Sequence, residues 1–559
     1  MMRLSRISLL PLLLACSLPA AALEVIALPH GASLAIDKRG LQLRGADGAE
    51  HARLPLRARH LDYRDGTALV VDANTERAIV VSVDAAGGTL AARSVIDGAA
   101  VAPDASCLHL DAQGLLHAFL IGKDGQAEQW LLPVPSAPGA TPGTAAQLVR
   151  KLALPPHSNA CLVHDASTTL VVNEEGFGAW AYNADAEAPP ERRALALRKP
   201  YGKLAAAPEA LAPAAQGVTL IDHKRKVMQT IALRRDLPPA VVVQPLVQTE
   251  TMPRMGDAAD DPAIWADRQR PGQGRVLGTN KKQGLHVYDL QGKELQMLES
   301  GRLNNVDLRQ DVLLDGQRFD LAMATQRDDN VLVLYTIDSA GTVAEAARFA
   351  TPLQRIYGIC LYQPGSGGLE VFANDKDGSF LQYRIGRSGG AFSANLVRSF
   401  KLGSQPEGCV ADDRNHRLFA GEEKRGVWSL DARADAKAEP RLVLPVGAHL
   451  RADVEGMALY HGAQASYLVV SSQGSNSYLV TDAAPPHRIR GSFRIGFNSA
   501  AGIDGASETD GLDVSAANLG GRFARGMLVV QDGYKRLPDG AQNFKYVAWE
   551  DIARALGLP

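Results

Sequence analysis

Apolar runs of four to six residues, each cut short by a turn signal, recur along almost the whole chain and leave room for little except short strands. In the first part they fall at 68–71, 78–83, 116–121 and 169–172, with Asp65-Gly66, Gly87-Gly88 and Asp124-Gly125 as turns. In the second part they fall at 276–279, 285–288, 319–324, 331–335, 369–372, 426–430, 466–470 and 526–530. Runs this short, rich in Val, Leu and aromatic residues, read as strands, and the Gly-containing pairs between them read as hairpin turns. The 53 glycines and 31 prolines are spread along the chain, which fits many turns and excludes a collagen-like repeat. No stretch supplies the helical crossovers of a parallel sheet, so the expected class is all-β.

Among all-β architectures, a propeller is expected over a large sandwich, because it sets loops from successive blades around one face. At 559 residues the chain exceeds one ordinary domain. Periodicity lapses in the Pro- and Val-containing passage at 238–251. The expected division is a leader at 1–22, a first domain at 23–239 and a second at 240–559.

Residues 1–22 place Arg3 and Arg6 before an apolar stretch and end in Ala20, Ala21 and Ala22, a secretory signal pattern too short to span a bilayer. The expected destination is periplasmic or extracellular. Leu13-Leu14-Ala15-Cys16 loosely resembles a lipoprotein box, so a lipid anchor at Cys16 on the outer membrane is the alternative to soluble export. No later stretch reads as a transmembrane span. The remaining Cys107, Cys161, Cys360 and Cys409 lack the close spacing of zinc or iron–sulfur ligands. Two disulfides in any of three connectivities, or four buried thiols, are both open. The net charge of -2 gives no basic footprint for nucleic acid.

The two parts repeat each other. Cys107-Leu108-His109-Leu110 followed by Gly122-Lys123-Asp124-Gly125 matches Cys360-Leu361-Tyr362-Gln363 followed by Asp375-Lys376-Asp377-Gly378. The segments 148–152, 159–161 and 173–180 match 396–400, 407–409 and 421–428 in the same order, and Lys38-Arg39 matches Lys281-Lys282. The copies differ where charge matters. The first has no counterpart of Asp260-Asp261-Pro262, has Asn159 where the second has Glu407, and lacks Asp453-Val454-Glu455 and Glu508-Thr509-Asp510-Gly511. A duplication is expected, with chemistry in the second copy and a packing or substrate-positioning role for the first.

In the second copy acidic residues recur beside Gly, Pro or Gln: Asp260, Asp261, Asp307, Glu407, Glu422, Glu423, Asp453, Glu455, Asp504, Asp510 and Asp513. Carboxylates with Gln or backbone carbonyls form the oxygen-rich shell that hard cations prefer. Interleaved with them are Lys281, Lys282, Arg327 and Lys376, with Arg302 and Arg309 less central; such residues hold phosphate as point charges or planar forks. So acidic a wall repels a polyphosphate unless cations bridge the two. No GxSxG, HExxH, P-loop or Rossmann pattern appears, and His286 reads as a structural strand residue.

These motifs resemble those of the β-propeller phytases, the calcium-dependent alkaline phytase family, in its dual-domain form with a degenerate N-terminal copy. The likeness rests on 260–265 (DDPAIW), 278–285 (GTNKKQGL), 301–309 (GRLNNVDLR), 406–410 (PEGCV), 452–456 (ADVEG), 471–474 (SSQG), Asp504-Gly505 with 508–511 (ETDG), and 542–544 (QNF), and it spans about 241–555. It implies a six-bladed β-propeller preceded by a smaller, incomplete propeller-like domain. It also implies several Ca²⁺ ions held by Asp260, Asp261, Glu407, Glu422 or Glu423, Asp453, Glu455, Gln473, Asp504 and Asp510. Lys281, Lys282, Arg327, Tyr357 and Lys376 would line two adjacent phosphate sites, with Lys281, Arg327, Tyr357, Lys376 and Glu407 in the reaction itself.

The implied activity is that of a 3-phytase-type phosphomonoesterase, a monomer acting on phytate presented as its calcium complex, with metal-activated water as nucleophile. The alternatives are a calcium-binding protein without catalysis and a metal-dependent phosphodiesterase or lactonase on the same fold.

Overall fold

The computed structural model describes residues 24–133, 145–235, 240–365 and 367–559. The expected leader at 1–22, with Cys16, lies outside the described residues. Almost all regular structure is antiparallel sheet, as the short apolar runs predicted. Among the described residues the exceptions are a parallel pairing of Val241–Val243 with Ile489–Ile495, an isolated parallel bridge between Arg198 and Leu204, a few 3-10 turns and the C-terminal helix Trp549–Leu556. Among the described residues no helix is long and apolar enough to cross a membrane.

The expected six-bladed propeller, and the propeller-like domain before it, are corrected by the sheet topology. The described strands form eleven separate small sheets of three to five strands, and none of them closes into a propeller or barrel. The physical reason is local. Most sheets are meanders of strands consecutive in the chain, the last two gaining one edge strand each from 241–248, so the strand ladder ends at both edges of every sheet, and neighbouring sheets pack through their side chains.

Five sheets lie between Glu24 and Ala232, and six take up the rest. Each of the last six begins with an inner strand: β1 (Ala259–Trp265), β2 (Leu303–Leu314), β3 (Ile356–Tyr362), β4 (Pro406–Asp412), β5 (Val454–His461) and β6 (Leu512–Ser515). These strands neighbour one another in chain order, and β6 lies against β1. Every residue of β1 is buried, because sheets pack on both of its faces. The outer strand Ala391–Lys401 is largely exposed and alternates polar and apolar side chains. The segment 241–248 supplies edge strands to the last two sheets, tying the start of this half to its end. The C-terminal helix caps that junction. Glu550 and Asp551 sit in its first turn, Gly557 ends it at φ 64°, and Trp549 stacks on Tyr460 with ring centroids 3.9 Å apart.

The cysteines form two bridges, Cys107–Cys161 and Cys360–Cys409, at matched positions of the two copies, with Cα atoms 5.9 and 5.6 Å apart. Each joins adjacent inner strands and closes a loop of about fifty residues, which in the chain-entropy picture contributes roughly 4 kcal/mol. Other matched residues make matched contacts. Arg64 bonds Asp62 and Asp165 as Arg309 bonds Asp307 and Asp413. Arg150 donates to Gln129 as Arg398 does to Gln382. The Trp180 indole donates to Glu174, and that of Trp428 to Glu422, both at 2.7 Å. Asp307 and Arg309 therefore belong to a framework common to both copies.

Candidate active site

One position on each inner strand builds the site. The second residues of β1 to β5 are Asp260, Asn304, Tyr357, Glu407 and Glu455. Just after each of them the pairing with the next strand breaks register, at Ala259/Pro262, Leu303/Val306, Ile356/Ile359, Pro406/Cys409 and Val454/Met457. A bulge bends the strand and re-aims a side chain. Repeated five times, it turns five polar side chains into the space between neighbouring sheets. Asp510 arrives from the loop before β6, where its amide donates to Gln531 at 3.2 Å.

The strands also approach closely. A Cβ on Gly358 would lie 2.0 Å from the Glu407 carbonyl oxygen, and one on Gly408 would lie 2.2 Å from that of Glu455. Bare backbone at these two places lets β3, β4 and β5 come near enough for their carboxylates to converge.

Two groups of three carboxylates result, Asp260–Glu407–Asp510 and Glu407–Glu423–Glu455, each with its oxygens within 4.8 Å of one another. Glu407 is common to both. Asp260 is fully buried, yet neither of its oxygens has a hydrogen-bond partner, and Oε2 of Glu455 is likewise buried and unpaired. Uncompensated buried carboxylate oxygens are costly unless a cation or proton meets them. The acids thus fit a metal: hard oxygen donors converge, and those of Asp260 and one of Glu455 lack hydrogen-bond partners.

Burial raises the pKa of Asp260 and Glu455 well above the carboxylate range, and neighbouring carboxylates add to it. It pushes Asp510 to about 6, against the pull of Lys281, and Glu423 to about 6, against the bond from Gln405. The sign for stability follows. Groups with raised folded pKa bind protons in the native state that the unfolded chain has released. Their contribution is full below about pH 4 and is lost as pH rises through about 6 and beyond. Metal-free protein should therefore lose melting temperature as pH rises from 4 to 7, and a bound divalent cation should remove that slope. Thermal melts with and without chelator check this; parallel curves would contradict it.

Lys281 reaches Asp510 at 2.8 Å, Asp257 at 3.0 Å and Asp260 at 3.7 Å. Burial alone would lower its pKa, but Asp260 and Asp510 outweigh burial and hold it charged. Tyr357 is flanked by Lys376, whose Nζ lies 3.8 Å from the ring centroid, and by Arg327 at 5.8 Å. Burial, then Glu407 and Glu455, keep its phenol protonated. Asn304 joins the two chemistries by donating to Glu407 at 2.9 Å and accepting from Arg327 at 3.2 Å.

Lys281, Tyr357, Glu407, Glu423, Asp453, Glu455, Gln473 and Asp510 all line one cavity of about 610 Å³. Asp260 meets Glu407 and Asp510 at its edge, and Arg327 and Lys376 flank Tyr357, while Asp261, Asp504, Lys282 and Glu422 are placed differently. Asp261 points to the opposite side of β1, where Oδ2 accepts from the Val306 amide and the carboxylate borders a separate cavity with Asp307 and Asp513. Side chains one apart on a strand face opposite ways. Asp504 is fully buried against the Lys545 ammonium at 2.7 Å, which also meets Asp532 at 3.1 Å. Lys282 donates to the Met255 carbonyl at 2.6 Å. Asp453 lines the cavity but is ion-paired with Lys424.

Glu422 and Glu423 are separated by their partners. Glu422 accepts from Ser404 at 2.5 Å and from the Trp428 indole, so both its oxygens are used, whereas Glu423 joins the carboxylate group. Glutamine at 422 has one acceptor for two buried donors. Glu422→Gln is expected to cost about 1–3 kcal/mol of stability and leave cation affinity intact. Glu423→Gln should weaken cation binding at nearly unchanged melting temperature. Melting curves beside cation titrations separate the two, and equal behaviour would refute the assignment.

Sequence reasoning missed the bridging role of Asn304 and the part played by Glu187. Glu187, from the first copy, accepts from the Gly505 amide at 3.0 Å, and its carbonyl accepts from Asn476 at 2.9 Å, so it braces two loops beside the cavity. The first was legible in the repeated pattern Ala-Asp-Asp, Leu-Asn-Asn, Ile-Tyr-Gly, Pro-Glu-Gly, Val-Glu-Gly at the starts of β1 to β5. Nothing in the local sequence marks Glu187.

A phytase family profile matches residues 225–558, more than half of the chain. The chain belongs to the phytase family. The 3-phytase of Bacillus subtilis (strain 168) is 39% identical over 324 residues, covering 56% of this chain and 84% of that protein. Among solved structures, Saccharomyces cerevisiae Sqt1 matches at 10% identity and a TM-score of 0.27, over 74% of this chain and 93% of that one, a likeness too low to carry an argument. The family resemblance is thus corrected in its architectural part. Membership with 3-phytase-like hydrolases stands, and the open sheets overturn the propeller. Family membership together with the two carboxylate groups supports a metal-dependent phosphoesterase.

Proposed function

We propose that this phytase-family hydrolase releases phosphate from phytate in a calcium-dependent reaction, leaving lower inositol phosphates. The observation that carries the reading is the junction at Glu407. Two carboxylate groups share it, and Asn304 links it to Arg327 beside Tyr357 and Lys376. Glu407, Asp260 and Asp510 would hold one cation, and Glu407, Glu423 and Glu455 another. When bound, the cations offset negative charge on wall and substrate and make water in their shell more acidic. All-oxygen donors suit calcium or magnesium, and three carboxylates in each group favour calcium, since magnesium is usually held by one or two.

The protein's own groups do the rest. Lys376 and Arg327 neutralise nonbridging phosphate oxygens, and Tyr357 stays protonated as a hydrogen-bond donor. Asn304 keeps Glu407 and Arg327 in register, and Lys281 limits repulsion between Asp260 and Asp510. The relative's name supports the inositol phosphate substrate, and a calcium complex of phytate would meet this acidic wall with less repulsion. We place the protein outside the cytoplasm; the two disulfides support export. Residues 240–559 are proposed as the catalytic domain and 23–239 as its accessory.

The test is phosphate release from phytate by the full chain. Activity should vanish with chelator and return with calcium. Turnover that survives complete removal of metal, or release confined to phosphodiesters, would overturn the proposal.

A further inference from the structure

The first copy carries a cavity at the place that corresponds to the catalytic one. It has a volume of about 430 Å³ and is bordered by Arg59, His60, Lys123, His157, Asn159 and Glu175, among others. The register comes from the matched cysteines and turns. Lys123 stands where the second copy has Lys376, Glu175 where it has Glu423, and Asn159 where it has Glu407. The geometry repeats as well. Arg59 and Asn159 are the second residues of the inner strands Ala58–Arg64 and Ser158–His164. The pairing of both strands breaks register there, at Arg59/Leu61 and Ser158/Ala160. The bulge that aims acids into the catalytic cavity aims an arginine and an amide into this one.

The charge balance has changed accordingly. Among the described residues both converging carboxylate groups lie in the second copy. Here the shared acid is a neutral Asn159; the cations Arg59 and Lys123 face Glu24, Asp104 and Glu175, and two histidines, His60 and His157, border the same space, with burial favouring the neutral form of His60. Glu24 is partly spoken for, since it accepts from the Leu61 amide at 2.7 Å. Arg59 has a buried Nε without a hydrogen-bond partner, and its nearest carboxylate is that of Glu76 at 3.8 Å.

We propose that this cavity is a second phosphoester site that binds the anion directly through Arg59 and Lys123, without a bridging cation and without hydrolysis. Arg59 supplies a planar fork and Lys123 a mobile point charge, the same two residue types that Arg327 and Lys376 set against Tyr357 in the second copy. With Asn159 in place of the shared carboxylate, no group of converging acids is left among the described residues here to hold a metal and, with it, to activate water. The site would hold a phosphorylated substrate or product near the enzyme and raise its local concentration.

The inference rests on the phosphoester reading for its ligand class, but its readout is metal-free binding, so failure of one is distinguishable from failure of the other. The full chain is titrated with myo-inositol hexakisphosphate in excess chelator by calorimetry, with inorganic phosphate as a second probe. One equivalent of hexakisphosphate should bind, and Arg59→Ala with Lys123→Ala should weaken it at least tenfold. Lys376→Ala should leave this metal-free binding in place. Should the double variant fail to fold, Lys123→Glu alters an exposed side chain and should weaken binding by itself. No metal-free binding, undiminished binding in these variants, or loss of binding in Lys376→Ala would each overturn the proposal. Loss of calcium-dependent phosphate release, with metal-free binding intact, would instead overturn the catalytic reading.

Discussion

Glu407→Gln is expected to lower phosphate release from phytate about 10³-fold and to weaken binding of two cations at once. The cause is its position. Glu407 belongs to both converging carboxylate groups, whereas Asp260, Asp510, Glu423 and Glu455 each belong to one. An amide offers one neutral acceptor where the carboxylate offers two charged ones, so both carboxylate groups would lose a charged donor and hold a cation less tightly. Loss of several kcal/mol of transition-state charge stabilisation is the usual scale for such a change. The fold should survive, because removing charge from a buried acidic cluster relieves repulsion. Cation stoichiometry and turnover, measured on the same protein, check the result. Loss of a single cation with turnover near wild type would show that Glu407 does not bridge. Asp261→Asn is the contrasting variant, since that carboxylate borders the other cavity.

Gly408→Ala should be nearly as damaging by a different route. A methyl group there would lie 2.2 Å from the Glu455 carbonyl oxygen and 3.0 Å from the Gly456 Cα, so β4 and β5 must part by more than an ångström. Overpacking of this kind costs about 1–3 kcal/mol of stability. A misplacement of that size between Glu407 and Glu455 costs roughly 10²-fold in turnover. The expected signature is a lower melting temperature, partly recovered by calcium, with turnover that calcium does not restore. Wild-type turnover in a folded Gly408→Ala protein would show that the close approach of these strands is not what assembles the carboxylates.

The strand-sized apolar runs were sufficient to predict an antiparallel all-β chain, because period-two patterning and Gly turns are local properties of the chain. The acidic motifs at 260, 407, 455 and 510 and the cations at 281, 327 and 376 were also legible, since each sits beside a turn or bulge residue. How sheets are arranged is not local, and there the expectation of a propeller gave way to separate open sheets. Three of the expected site residues lie outside the two carboxylate groups. Asp261 is one step out of phase on β1, Asp504 has met Lys545 from more than forty residues away, and Glu422 is consumed by Trp428 and Ser404. An acid's role depends on what reaches its oxygens, and partners remote in sequence are invisible to motif reading.

By itself the sequence determined the strands, the turns, the duplication and the two kinds of charge that a phosphoester hydrolase needs. Only the tertiary structure decided which carboxylates converge, because that depends on bulges turning second residues inward and on bare glycine backbone letting neighbouring strands close to contact. It also decided that Cys107 pairs with Cys161 and Cys360 with Cys409, and that Glu187 of the first copy braces the loops of the second. Those are distances between residues far apart in the chain, and packing alone sets them.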